Sequence, residues 1–180
     1  MTRPETVASP AAAAPCVDVL DQLAGVAPGS PVAELRAGRP NLTRFSQASY
    51  ESLFEPGTDD GLSRREREIT ALRIALLTPD YRLAKWYQDR LIAESGTAST
   101  VTAITGFPAG SPELTRRDVA ILRHTDLVTQ RPTEAEPSDI EALRTAGLST
   151  REIVTLSQLI AFVAFQVRVL ATLRALGETA

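Results

Sequence analysis

Apolar residues recur along the chain at steps of three and four. Ile69, Leu72 and Leu76 share one face, and Leu83, Trp86 or Tyr87, and Leu91 continue the pattern after a break. That period is helical, and no run alternates apolar and polar positions over a convincing length, so the expected fold class is all-α. Turn residues cut the chain at APGSP (27–31), EPGTDDG (55–61), TP (78–79), GFPAGSP (106–112), RPTEAEP (131–137) and AG (146–147). Between these cuts the spacing predicts helices near 17–25, 31–38, 41–54, 64–77, 79–95, 116–130, 139–146 and 150–176.

Capping chemistry marks several of the starts. Ser63 with Glu66, Ser138 with Glu141 and Ser149 with Glu152 each set a hydroxyl three residues before a glutamate, the spacing at which two side chains satisfy each other's orphan N–H groups. Thr78 followed by Pro79 predicts a further start, and Gly96, Gly147 and Gly177 sit where helices would end. GLSRRE at 61–66 returns as GLSTRE at 147–152, each time ahead of a long apolar helix. Two capped starts resemble one another in any protein; the alternative is a duplicated helical hairpin.

Composition narrows the possible chemistry. The 180 residues are 43% apolar and 23% charged, which suits one compact unit with a core. A net charge of -3 provides no basic field for phosphates, so nucleic acid is not an expected partner. Cys16 is the single cysteine and His124 the single histidine, which excludes an intrachain disulfide, a CxxC dithiol, a thiolate-rich zinc site and a His–His metal pair. No cofactor is expected. The apolar run at 153–167 falls short of a membrane span and carries Gln158 and Gln166, so it predicts a helix covered by a core or a subunit contact. Residues 1–15 read as a disordered start without a secretory apolar stretch, residues 16–60 as a helical extension and 61–178 as the main helical domain of a cytoplasmic protein.

The segment LSRREREITALRIALLTPDYRLAKWYQDRL (62–91) is similar to the core motif of the carboxymuconolactone decarboxylase and alkylhydroperoxidase D superfamily: a capped helix bearing a glutamate, a short break, then a helix opening with CxxC and a histidine four residues on. Residues 121–173, with their LSxRE start and phenylalanine-bearing helix, resemble the second half of those proteins, above all the uncharacterised peroxidase-related branch. DVLDQLAGVAPGSPVAELRAGRP, in the N-terminal third, resembles a subgroup named only for its domain. The resemblance implies an alkylhydroperoxidase D-like fold of duplicated helical hairpins that assembles into homo-oligomers; the apolar helix 150–176 is the expected self-contact.

Registering the family glutamate on Glu68 puts the first cysteine at Asp80, the second at Leu83 and the histidine at Tyr87. Peroxide reduction by such a site needs one thiolate to attack the O–O bond and a second thiol to resolve the sulfenic acid. Neither Asp80 nor Leu83 supplies a thiol, Cys16 lies beside Pro15 with no nearby base, and a tyrosine is a poor general base where the decarboxylases carry histidine. The leading expectation is therefore a non-peroxidatic member that binds a small organic ligand or supports an oxidative pathway. The alternatives are an enzyme, either an alkylhydroperoxidase-type antioxidant or one using acid–base chemistry on a carbonyl or lactone, and a structural oligomerisation module. The candidate catalytic residues are Glu68, Asp80, Tyr87 and His124. Each also has a structural reading: Glu68 as a polar first-turn residue beside Arg64 and Arg65, Asp80 as favoured by the helix dipole, Tyr87 as a core or interface aromatic, His124 as a satisfied or surface histidine. Gln166 and Arg168 need partners if buried.

Overall fold

The computed structural model describes residues 18–55, 61–78, 80–95 and 97–179. Cys16 and the expected disordered start at 1–15 lie outside the described residues. Among the described residues nine α-helices follow one another: α1 Val19–Ala24, α2 Pro31–Ala37, α3 Pro40–Phe54, α4 Arg64–Leu77, α5 Tyr81–Ser95, α6 Ala98–Thr105, α7 Arg116–Gln130, α8 Pro137–Thr145 and α9 Thr150–Thr179, with one 3₁₀ turn at Pro132–Glu134. There is no strand among the described residues.

α4 is the axis of the bundle. It packs against α3, α5, α6, α7 and α9, and every residue from 66 to 75 is buried. α1 and α2 lie on α9, and α8 closes over α7 and α9. The core includes Leu72 and Ile74 of α4, Leu83 and Leu91 of α5, Ile121 and Leu122 of α7, and Leu156, Leu159, Val163 and Leu170 of α9.

Four expectations about boundaries are corrected. α6 was not expected, because Thr100, Val101, Thr102, Ile104 and Thr105 are β-branched and the side chain of its N-cap, Thr97, caps no backbone N–H. Tertiary packing decides this segment: Ile104 is fully buried, and the carbonyl of Ile104 accepts a hydrogen bond from Arg73 at 3.2 Å. α5 begins at Tyr81 rather than 79, with Asp80 as its cap. α8 opens at Pro137, where Asp139 accepts the Glu136 N–H at 2.8 Å, so Ser138 with Glu141 is not its cap. α9 runs through Gly177 to Thr179 instead of ending there. It is long and apolar enough to cross a membrane by length and composition, and 44% of its apolar window is buried against the other helices.

The two GLS echoes meet in space. Ser63–Glu66 and Ser149–Glu152 both form reciprocal boxes, and a third, Thr115–Asp118, opens α7. In each box one carboxylate oxygen caps its own helix and the other accepts from an arginine of a neighbouring start. Arg65 reaches Asp118 at 2.7 Å, and Arg117 bridges Glu66 and Glu152 while also donating to the Gly147 carbonyl at 2.8 Å. Gly147 (φ 95°) ends α8 in a Schellman turn, with Leu148 N–H on the Leu143 carbonyl and its own N–H on that of Arg144. At Gly61 (φ 90°) an added Cβ would come within 2.8 Å of the Glu152 side chain, so both conformation and space require glycine there.

Replacing Arg117 with alanine strips both glutamates of a charged partner in a mostly buried position. The expected loss is about 2–4 kcal/mol in urea unfolding. Arg151→Ala, at the matching but exposed position of α9, should stay within about 0.5 kcal/mol. Equal losses for the two variants would show that Arg117 is not the bridge it resembles.

Candidate functional site

Asp80 stands just ahead of α5, and both of its oxygens are engaged. Oδ1 accepts the Leu83 N–H at 3.0 Å, which makes Asp80 the N-cap, and Oδ2 accepts from Arg174 Nη1 at 2.6 Å. Arg174 Nη2 also donates to the Leu23 carbonyl at 3.0 Å, so this pair ties α5 to α9 and α1. Leu83, one turn further, is fully buried in the core.

Tyr87 is likewise fully buried and donates its hydroxyl to Gln166 Oε1. Its ring stacks on Phe54 at 5.3 Å, and Phe54 stacks on Tyr50 at 5.0 Å. Gln166 therefore finds a partner for its amide oxygen, whereas Arg168 stays exposed and donates to the Ala164 carbonyl at 2.7 Å.

Glu68 is 4% exposed, well inside the bundle, so a solvated first-turn position does not describe it. Its Oε1 accepts from Arg90 Nε at 2.7 Å. The Arg90 guanidinium lies 5.6 Å from both the Tyr50 and Phe54 ring centres, within cation–π range. Glu68 and Tyr87 thus belong to one enclosed cluster with Tyr50, Phe54, Arg90 and Gln166. Four buried polar atoms there, Glu68 Oε2, Tyr50 OH, Trp86 Nε1 and Gln166 Nε2, have no hydrogen-bond partner among the described residues.

Electrostatics separates the titratable members. Burial pushes the Glu68 carboxyl up to about 7, against the opposing pull of Arg90. Burial, reinforced by Tyr50 and Glu68, holds the Tyr87 phenol well above its usual range, so it is a hydrogen-bond donor and not a base at neutral pH.

Asp80 and His124 face other ground. Asp80 borders a groove of about 840 Å3 walled by Val26, Pro31 and Val32, by Arg82 at the start of α5 and by Ala171 of α9. His124, 7% exposed on α7, lines a separate depression beside Asp139. The four candidate residues therefore lie at three places. Arg90 and the α3 aromatics Tyr50 and Phe54 escaped sequence reasoning, because their spacing reports only a buried helical face. Arg90 does share a face of α5 with Tyr87, three residues away, which is the one local signal available.

No family model matches the chain, and no curated protein does. Solved structures do. An uncharacterised peroxidase-related protein from Silicibacter sp. TM1040 matches with a TM-score of 0.69 and 20% identity, over 78% of this chain and 72% of that one. An uncharacterised peroxidase-related protein from Ralstonia eutropha JMP134, described as an alkylhydroperoxidase AhpD core, matches with a TM-score of 0.68 and 20% identity, over 78% and 73%. A protein of unknown function from Agrobacterium tumefaciens, a candidate AhpD antioxidant-defence protein, matches with a TM-score of 0.68 and 19% identity, over 78% and 92%. This chain has the alkylhydroperoxidase D-like fold of the peroxidase-related proteins, as its two motif segments lead one to expect.

The folded value of Glu68 lies above the ordinary 4.5. Between 4.5 and about 7 the folded chain keeps a proton that the unfolded chain has released, so this residue's contribution to stability falls as pH rises through that window and then levels off. Glu68→Gln should remove that slope, a difference on the order of 2–3 kcal/mol between pH-dependent unfolding curves of the two proteins. Parallel curves would overturn the assignment.

Proposed function

We propose that the protein is a non-peroxidatic member of the alkylhydroperoxidase D-like group that binds a small organic ligand in the groove beside Asp80. The observation that carries this reading is what stands at the three registered reactive positions. Asp80 is spent on a helix cap and an ion pair, Leu83 is core, and Tyr87 is buried on Gln166. None supplies the thiolate, the resolving thiol or a base near neutrality that peroxide reduction by a dithiol needs. The groove has the volume of a small-molecule site and a mixed lining, with apolar Val32 and Ala171 opposite polar Asp80, Arg82 and Arg174.

The full-length protein, assayed with an organic hydroperoxide and a dithiol donor, should consume no peroxide above the protein-free rate, and Cys16→Ser should change nothing. A screen of small organic compounds by thermal shift should return stabilising ligands whose effect disappears in Ala171→Trp, which fills the groove from an exposed position. Dithiol-dependent turnover lost in Cys16→Ser would overturn the non-peroxidatic reading. Ligand shifts unchanged in Ala171→Trp would remove the groove from it.

Self-association through α9 is the second part of the proposal. Val154 and Phe165 are 51% and 40% exposed, and with exposed Ala161 they form a stripe spaced by seven and four residues. A second copy presenting the same stripe would cover it. Sedimentation should find an oligomer that Val154→Glu/Phe165→Glu dissociates; a monodisperse wild-type monomer at micromolar concentration would refute the assembly.

A further inference from the structure

The depression between α7 and α8 is separate from the groove beside Asp80 and has a different character. It encloses about 440 Å3, within the range of small-ligand sites. Arg116 and Arg123, both exposed, stand seven residues apart on one face of α7, about 10 Å along the helix axis. Neither has an ion pair or hydrogen bond among the described residues. The other arginines that line cavities or cap helices here are mostly spent: Arg65, Arg73, Arg90, Arg117 and Arg174 all hold carboxylates. Arg116 also occupies the first position of α7, where the helix dipole disfavours a cation and favours an anion.

His124, the residue after Arg123, lines the same depression and is only 7% exposed, with Nδ1 buried and unpartnered among the described residues. Burial lowers its basicity, against the opposing charge of Asp139, so the ring is neutral at physiological pH. A neutral imidazole carries one N–H donor and one acceptor nitrogen, so the ring brings a hydrogen-bond donor to a cavity-lining side chain. Asp139, on α8, is the one acidic group lining the depression, and its Oδ2 is already occupied by the Glu136 N–H. Two guanidinium charges against one carboxylate leave a single positive charge to neutralise. The remaining lining is small, with Thr145 beside the apolar Val119, Ala120, Ala142 and Ala146.

We infer that this depression binds a small organic monocarboxylate, its head held by Arg116, Arg123 and His124 and its hydrocarbon part laid on the alanine and valine floor. A guanidinium matches a carboxylate with two parallel hydrogen bonds. The single net positive charge matches one carboxylate better than a phosphate dianion, and the floor favours a ligand with an apolar body. The site is independent of the ligand groove proposed above.

The single histidine makes a direct test possible, because its ring protons form the one imidazole signature in the proton NMR spectrum. Titration of the intact protein with benzoate should shift the His124 resonances along a saturable curve and raise the pH midpoint of that histidine, since a bound anion favours the imidazolium. Arg116→Gln/Arg123→Gln, which alters two exposed and unpartnered side chains, should keep the melting temperature and weaken benzoate by at least about ten-fold. Ala171→Trp should leave the titration unchanged, which separates this site from the other groove. Inorganic phosphate should bind more weakly than benzoate. A linear, unsaturable shift, or equal affinity in the double variant, would overturn the site; phosphate binding as tightly as benzoate would overturn the monocarboxylate class.

Discussion

A helix covered on every side has to carry its charged side chains into the interior, and each must meet a partner there or cost several kcal/mol. α4 is in that position. Glu66 is held by Arg117 of α7, Arg67 by the carbonyls of Leu53 and Leu62, Glu68 by Arg90 of α5, and Arg73 by both oxygens of Asp126 on α7. These pairs tie α5 and α7 to the axis alongside the apolar packing. Arg73 also reaches the α6 carbonyl of Ile104 and lies 5.3 Å from the Phe107 ring centre, which brings in the segment with the weakest helical propensity.

The same constraint shapes the three helix starts gathered at one end. Each capping carboxylate has two oxygens, and one is enough to cap. The second would sit half-buried without a partner, so Arg65 and Arg117 complete the set. Those bonds bring the two GLS segments side by side. Around Glu68 the pairing is less complete: Arg90 satisfies one oxygen and the other is unpartnered among the described residues, while burial lifts the carboxyl to about 7 against the pull of Arg90. Nearby, Asp80 is a helix cap, Leu83 is core and Tyr87 is a hydrogen-bonded aromatic.

Much of the architecture was legible in the chain, for definable reasons. Helical periodicity and the Ser63–Glu66 and Ser149–Glu152 boxes are local properties, and both boxes form. The Thr115–Asp118 box was equally local but is written with threonine and aspartate in place of serine and glutamate. α6 was illegible because its β-branched residues argue against the helix that burial of Ile104 imposes. At the candidate site, Glu68 and Tyr87 do enter one cluster, and Gln166 meets the demand for a partner that its place on an apolar helix created. Asp80 and His124 were written beside them in the register of a motif or on chemical type alone, and neither criterion carries distance.

By itself the sequence determined the helical class, most helix starts and the absence of a CxxC dithiol, since period, capping and residue identity need no knowledge of the third dimension. Only the tertiary structure decided which charges meet. Arg90, Arg117 and Arg174 lie 22, 51 and 94 residues from their partners Glu68, Glu66 and Asp80. Pairing across such separations depends on how helices cross, and so do Glu68's raised pKa and the isolation of His124 beside two unpaired arginines.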